Sequence, residues 1–183
     1  MQKKTDWTLF LDRDGVINKR LDEDYVKSWA DFEFLPDVLE ALKLLAGRFD
    51  RIIVVSNQQG IGKGLMTQED LRLIHEKMMN SMHQAGARID GIFHCPDLAT
   101  APGNCRKPSP AMAYKARKAY PEIVFERSIM VGDTPSDMEF GRRLGMKTVF
   151  IGTGSEYQKL RVPVHAHCQR LVEFARNAED HID

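Results

Sequence analysis

The sequence predicts one α/β domain spanning residues 1–183, built on a doubly wound parallel sheet. Three observations carry this. Apolar runs of strand length recur at residues 8–11, 51–55, 89–94, 128–131 and 147–151, with helical patterns between them. The central runs are continuous rather than alternating, as in strands covered on both faces. The runs lead into polar or glycine-rich stretches, and a parallel sheet gathers such strand ends along one edge.

The first run, Leu9-Phe10-Leu11, leads into Asp12-Arg13-Asp14-Gly15, where glycine permits a sharp turn. Residues 18–34 read as a loop. Its aromatics, Tyr25, Trp29, Phe32 and Phe34, fit equally a flap over a substrate or pins holding a long connection to the body. Pro36 is expected to start a helix, with Val38, Leu39, Leu42 and Leu45 on its apolar face and Gly47 at its end. The second strand, 51–55, runs into a loop over 56–64. A helix follows with Thr67 as N-cap and Asp70 as its reciprocal partner. Leu71, Ile74, Met78 and Met82 form its core stripe and Gly86 ends it.

After the third strand, residues 95–107 form an inserted loop with Pro96, Pro102 and Gly103. A helix is expected from Ser109-Pro110 to about Tyr120, then the fourth strand, then a helix opened by Pro135 and closed near Gly145. Beyond the fifth strand, 152–162 is expected to be a loop, 164–168 an edge strand, and 171–178 a closing amphipathic helix, with Cys168 in the core.

Composition narrows the function classes. Lysine plus arginine and aspartate plus glutamate number 26 each, so no global basic field draws nucleic acid or anionic lipid. No apolar run reaches the roughly 20 residues of a membrane span. Residues 1–7 lack the apolar core of a signal peptide, and three cysteines, an odd number, point to a reducing compartment rather than a disulfide framework. A cytoplasmic monomer acting on a small molecule is the expectation.

Four strand ends converge chemically: Asp12 and Asp14; Ser56 and Asn57; Arg106 and Lys107; Asp133 and Asp137. Carboxylates gathered in one crevice repel unless a cation or lysine sits among them. An all-oxygen set favours Mg2+. Lys107 offsets further charge, while Ser56 and the backbone at Arg13 and Gly15 can cradle phosphate oxygens. An ionised carboxylate, a neighbouring carboxylic acid and Mg2+ together suit phosphoryl transfer through an aspartyl-phosphate.

At these residues the chain resembles the haloacid dehalogenase superfamily of phosphatases. Residues 10–16 are similar to its first motif, Ser56-Asn57 to its second, Lys107-Pro108 to its third, and Gly132-Asp133-Thr134-Pro135-Ser136-Asp137 to its fourth. The resemblance implies a Rossmann-like sheet without a cap domain, Asp12 as nucleophile, and Asp14 as acid and then base. It implies Mg2+ on Asp12, the Asp14 carbonyl and Asp133, with Asp137 in support. More narrowly, residues 56–64 and 105–108 resemble the D,D-heptose 1,7-bisphosphate phosphatase group, to which histidinol-phosphatases are close. That likeness makes a sugar phosphate monoester the expected substrate, Arg106 a specificity residue, and Gln58 and Lys63 further substrate contacts.

The chain departs from this group in the loop before Arg106. Four zinc ligands are usual there, but the corresponding positions hold Cys95, Asp97, Gly103 and Cys105. A structural zinc is not expected on so incomplete a set, which leaves Pro96, Pro102 and packing to hold the loop. The alternatives are a histidinol- or other small-molecule phosphatase and, in a different class, a phospho-accepting or sugar-phosphate-binding module without efficient turnover. Asp14 separates them, because hydrolysis needs an acid–base group that a phospho-accepting module lacks.

Overall fold

The computed structural model describes residues 5–182; the expectation for the first residues falls partly on 1–4, outside that range. Six parallel strands, β1 (Thr8–Leu11), β2 (Arg51–Asn57), β3 (Gly91–Cys95), β4 (Ser128–Gly132), β5 (Lys147–Ile151) and β6 (Ala166–Cys168), form one sheet in the order β3-β2-β1-β4-β5-β6. The chain winds outward from β1 through β2 and β3, then returns to β1's other side for β4 to β6. The switch point therefore lies between β1 and β4, where open α/β sheets bind ligands.

The period-two geometry of a strand sorts the core into two layers. Leu9, Leu11, Ile52, Val54, Ile129 and Val131 face one side, beneath α1 (Val38–Ala46), α3 (Gln68–Gln84) and α7 (Leu171–Arg176). Phe10, Ile53, Val55 and Met130 face the other, against α4 (Ala111–Ala119) and α5 (Pro135–Arg143). Both faces are covered, which is why the strand runs are apolar throughout.

The capping signals at α3 hold: Thr67 Oγ1 accepts from the Asp70 N–H at 3.1 Å, and Asp70 Oδ2 accepts from the Thr67 N–H at 2.8 Å. All four residues of its expected stripe are buried. Pro36 lies ahead of α1, whose N-cap is Asp37 at φ 62°. The predicted loop over 56–64 is shorter than expected, because β2 continues to Asn57 and α2 (Gln59–Gly62) makes one turn. Residues 152–162 also differ, since α6 (Gly154–Lys159) forms there behind a Thr153/Glu156 capping box that the local reading passed over. Cys168 is half-buried on β6, at the core's margin.

The aromatics of the 18–34 loop divide between their two readings. Trp29 stacks on Phe32 at 4.8 Å and both pack with Phe34 against the core, so these three are pins. Tyr25 instead lines a cavity at the sheet's carboxyl edge. The loop over 95–107 is held by more than prolines. Cys95 and Cys105, with Cα atoms 5.6 Å apart, form a disulfide, correcting the expectation that no cysteines pair. The loop leaves and re-enters at the same strand end, which brings the two thiols together despite ten residues of separation.

Candidate active site

β1 delivers Asp12 to the switch point, where its N–H donates to the Val131 carbonyl of β4 at 3.0 Å. The chain then turns on itself, with the Ile17 and Asn18 N–H groups donating to the Arg13 carbonyl. Gly15 sits at φ 95°, and a Cβ there would lie 1.9 Å from Asp133 Oδ2. Only glycine lets the β1 turn come so close to the β4 turn.

Lys107 arrives from the far side of the sheet. Its N–H donates to Asn57 Oδ1 at 2.9 Å, and its ammonium donates to the Val55 carbonyl at 2.8 Å. That fixes Nζ 2.7 Å from Asp12 Oδ1 and 2.6 Å from Asp137 Oδ1. Asp137 Oδ2 is taken by Thr134, closing the N-terminus of α5. Asp137 thus supports the centre through Lys107.

Asp14 is served by a separate network. It accepts from Arg13 Nη2 at 2.9 Å and Asn18 Nδ2 at 3.0 Å on Oδ1, and from Gln58 Nε2 at 2.9 Å on Oδ2. Gln58 Nε2 also donates to Ser56 Oγ, and Arg13 Nη1 is 3.2 Å from His75 Nε2. Arg13 is only 1% exposed, and its side chain positions Asp14. The Ser56 side chain is likewise fully buried beneath Gln58.

A cavity of about 290 Å³ opens over this centre, lined by Asp12, Asp14, Asn57, Gln58, Arg106 and Lys107, with Tyr25 and Arg20 from the loop. Lys63 is not among its lining residues. Its ammonium instead sits 5.2 Å from the Tyr25 ring centroid, so any influence on a ligand passes through that ring. Arg106 does face the cavity, and its Nη1 is buried without a partner in the protein.

The electrostatics treat the two leading carboxylates oppositely. Burial pushes Asp12 up to about 6, reinforced by Asp137 and Asp14 and opposed by Lys107. Burial, with Asp12 and Asp137, also raises Asp133 well above the carboxylate range. At Asp14 burial acts upward too, but the Arg13 charge and the hydrogen bonds from Arg13, Asn18 and Gln58 outweigh it and leave the group below its ordinary value. The Asp12–Asp133–Asp137 side is therefore short of positive charge.

Oxygens of those three carboxylates lie within 4.8 Å of one another. A guanidinium already approaches them as a cation would: Arg20 Nη2 is 2.9 Å from Asp133 Oδ1, 3.1 Å from the Asp14 carbonyl and 3.8 Å from Asp12 Oδ2. The oxygen donors and the cation among them fit a hard divalent ion such as Mg2+. In the second acid–thiol cluster, Cys95, Asp97 and Cys105, the two sulfurs are bonded to each other and Asp97 Oδ2 accepts from the Cys105 N–H.

Arg20 and His75 were not legible as site residues. Arg20 lies in a mixed polar loop with no periodicity to mark it, and His75 is one position off the α3 core stripe.

Fold and centre together define a class, an α/β enzyme with a carboxylate–lysine centre at its switch point, suited to anionic substrates and a hard metal. Residues 104–171 match the HAD-hydrolase-like family model. The D-glycero-alpha-D-manno-heptose-1,7-bisphosphate 7-phosphatase of Mycobacterium bovis is 41% identical over 138 residues, covering 75% of this chain and 73% of the relative. The corresponding beta-anomer phosphatase of Helicobacter pylori is 37% identical over 144 residues, 78% of this chain and 81% of that one. Among solved structures, D,D-heptose 1,7-bisphosphate phosphatase from B. bronchiseptica, complexed with magnesium and phosphate, superposes with a TM-score of 0.86 at 28% identity, covering 96% of this chain and 99% of its own. The chain belongs to the haloacid dehalogenase-like hydrolases. Among the described residues no helix is long and apolar enough to cross a membrane.

Proposed function

We propose that this protein is a Mg2+-dependent phosphatase that removes the 7-phosphate of D-glycero-D-manno-heptose 1,7-bisphosphate. The observation that carries the reading is the paired setting of Asp12 and Asp14. One is clamped to Lys107 on the metal side, and the other is held in a separate hydrogen-bond network on the same cavity wall. The relatives that share the fold and most of the chain are heptose bisphosphate phosphatases, which supports the substrate.

In this reading Asp12 Oδ attacks phosphorus, forming an acyl phosphate as the bond from phosphorus to the sugar oxygen breaks. Asp14 gives that oxygen its proton. It then takes a proton from water, which attacks the same phosphorus, releasing phosphate and restoring the Asp12 carboxylate. Asp14 needs a proton for the first half, and the approach of a phosphate dianion favours its protonated form against the pull of Arg13. Lys107 keeps Asp12 ionised and in place. Asp12, the Asp14 carbonyl and Asp133 would hold Mg2+, which supplies charge neutralisation for the phosphate oxygens. Arg106, with its unpaired Nη1, offers the cavity a donor for the substrate's second phosphate or its hydroxyls.

The test is phosphate release with Mg2+ from both anomers of heptose 1,7-bisphosphate, histidinol phosphate, hexose phosphates and a 3′-phosphorylated oligonucleotide. One heptose anomer should lead in kcat/KM by about tenfold or more, equivalent to roughly 1.4 kcal/mol. Asp12→Asn should abolish release. A preference for histidinol phosphate would reassign the substrate, and failure on every compound by folded, Mg2+-bound protein would refute catalysis.

A further inference from the structure

Arg20 is not needed to explain the fold. It leaves the 18–34 loop and is half-exposed, yet its guanidinium reaches three oxygens from two strand ends. Those are the Asp14 carbonyl, Asp133 Oδ1 and, more distantly, Asp12 Oδ2, the same three groups that would ligate a divalent ion. Lys107 neutralises the opposite flank, touching Asp12 through the other oxygen, Oδ1. Arg20 is thus the second cation of the centre and stands where a metal would compete with it. A divalent ion on the same three groups would be repelled by a guanidinium at contact distance, so the two cations compete for them.

The structure also provides somewhere for the side chain to go. On the far side of Arg20 lies a second cavity of about 420 Å³, lined by Asp22, Asp133, Thr153 and Glu156 as well as Arg20 itself. Glu156 already feels the Arg20 charge. A guanidinium turned out of the ligand cluster would remain among carboxylates.

We propose that Arg20 is a displaceable counter-ion of the metal site. In the metal-free protein it holds Asp12, the Asp14 carbonyl and Asp133 in their ligating arrangement, and a divalent cation takes its place by exchange. The proposal rests on the reading of this cluster as a metal site and concerns positioning. Its consequence is a trade: Arg20 keeps repelling carboxylates assembled, at the expense of metal affinity.

The experiment is calorimetric titration of MgCl2 into the full-length protein without substrate, comparing wild type with Arg20→Gln, Lys19→Gln and Asp133→Asn. Arg20→Gln should bind Mg2+ about tenfold more tightly or better, since a competing charge at contact distance is removed. Lys19→Gln, which loses a neighbouring exposed charge, should stay within about twofold of wild type. The side-chain N–H resonance of Arg20, assigned in the wild type by through-bond correlation to its own backbone amide, should shift along the wild-type Mg2+ titration, a readout that survives if the variant fails to fold. Equal or weaker Mg2+ binding by Arg20→Gln, an equal gain in Lys19→Gln, or an Arg20 resonance unmoved at saturation would each overturn the proposal. If Asp133→Asn abolishes binding while Arg20→Gln changes nothing, the metal site stands and only the role of Arg20 falls. If binding survives Asp133→Asn, the metal-site reading falls and takes the proposal with it.

Discussion

Gly15 and His75 show how single residues set this centre. Gly15 combines a positive φ with a missing Cβ that would otherwise lie inside Asp133. Gly15→Ala should therefore cost about 1–3 kcal/mol of stability and displace Asp133, with a loss of Mg2+ affinity that thermal melts with and without MgCl2 would show. His75 is held neutral, pushed down to about 3, first by burial and then by the charges of Arg13 and His94, with Asp14 opposing. Its folded value lies below the unfolded one of 6.5, so between them the unfolded chain binds the extra proton. The stability His75 confers is complete above about pH 6.5 and drains away as pH falls, by at most about 1.4 kcal/mol per unit. Melts from pH 7 to 5 should show a steeper decline for wild type than for His75→Gln. Parallel curves would mean the imidazole is not held neutral by its burial and the charges around it.

Among the elements, the loop from Cys95 to Cys105 matters most, because Arg106 and Lys107 follow it directly. A disulfide closing ten residues of chain removes about 3 kcal/mol of loop entropy from the unfolded state. Cys105→Ser, or strong reductant, should lower the melting temperature correspondingly. It should also raise KM more than it lowers kcat, because Arg106 loses its anchor while Lys107 keeps its own bonds to Asn57 and Val55. A fall in kcat alone would show that the loop governs Lys107 instead.

For the molecule as a whole, the sheet order makes the site and the fold interdependent. Lys107 lies 95 residues from Asp12, yet the two meet at the switch point with Asp137 as third partner. Removing one member of such a buried set leaves charge uncompensated, so Lys107→Met should destabilise the protein by about 3–5 kcal/mol while abolishing turnover. The sign with pH is definite. Asp12 is already raised to about 6 with Lys107 present, and without that ammonium it rises further. The variant should regain stability relative to wild type as pH falls from about 8 toward 6, where Asp12 takes its proton in the variant before it does in wild type, and the gap should then stay level below about pH 6. Urea unfolding at several pH values would measure it.

Much of this was legible in the amino-acid order because it is local. Continuous apolar runs specify buried strands, Thr67 with Asp70 specifies a helix start, and Asp-x-Asp-Gly after a strand specifies a turn bearing carboxylates. Parallel topology then gathers Asp12, Lys107 and Asp133 without further information. What stayed hidden depends on distance between residues far apart in the chain. Nothing near Arg13 in the chain shows that its guanidinium turns inward to Asp14 and His75, and the pairing of Cys95 with Cys105 depends on where a loop returns. Arg20 went unmarked because a charge in a polar loop has no periodicity, and its importance comes from Asp133, 113 residues on. The core strands, the longer helices and the acidic chemistry follow from local pattern and can be read along the chain, whereas the one-turn helix α2 and the short α6 escaped such a reading. Which charges meet is set by the fold, because Coulomb energy depends on separation in space.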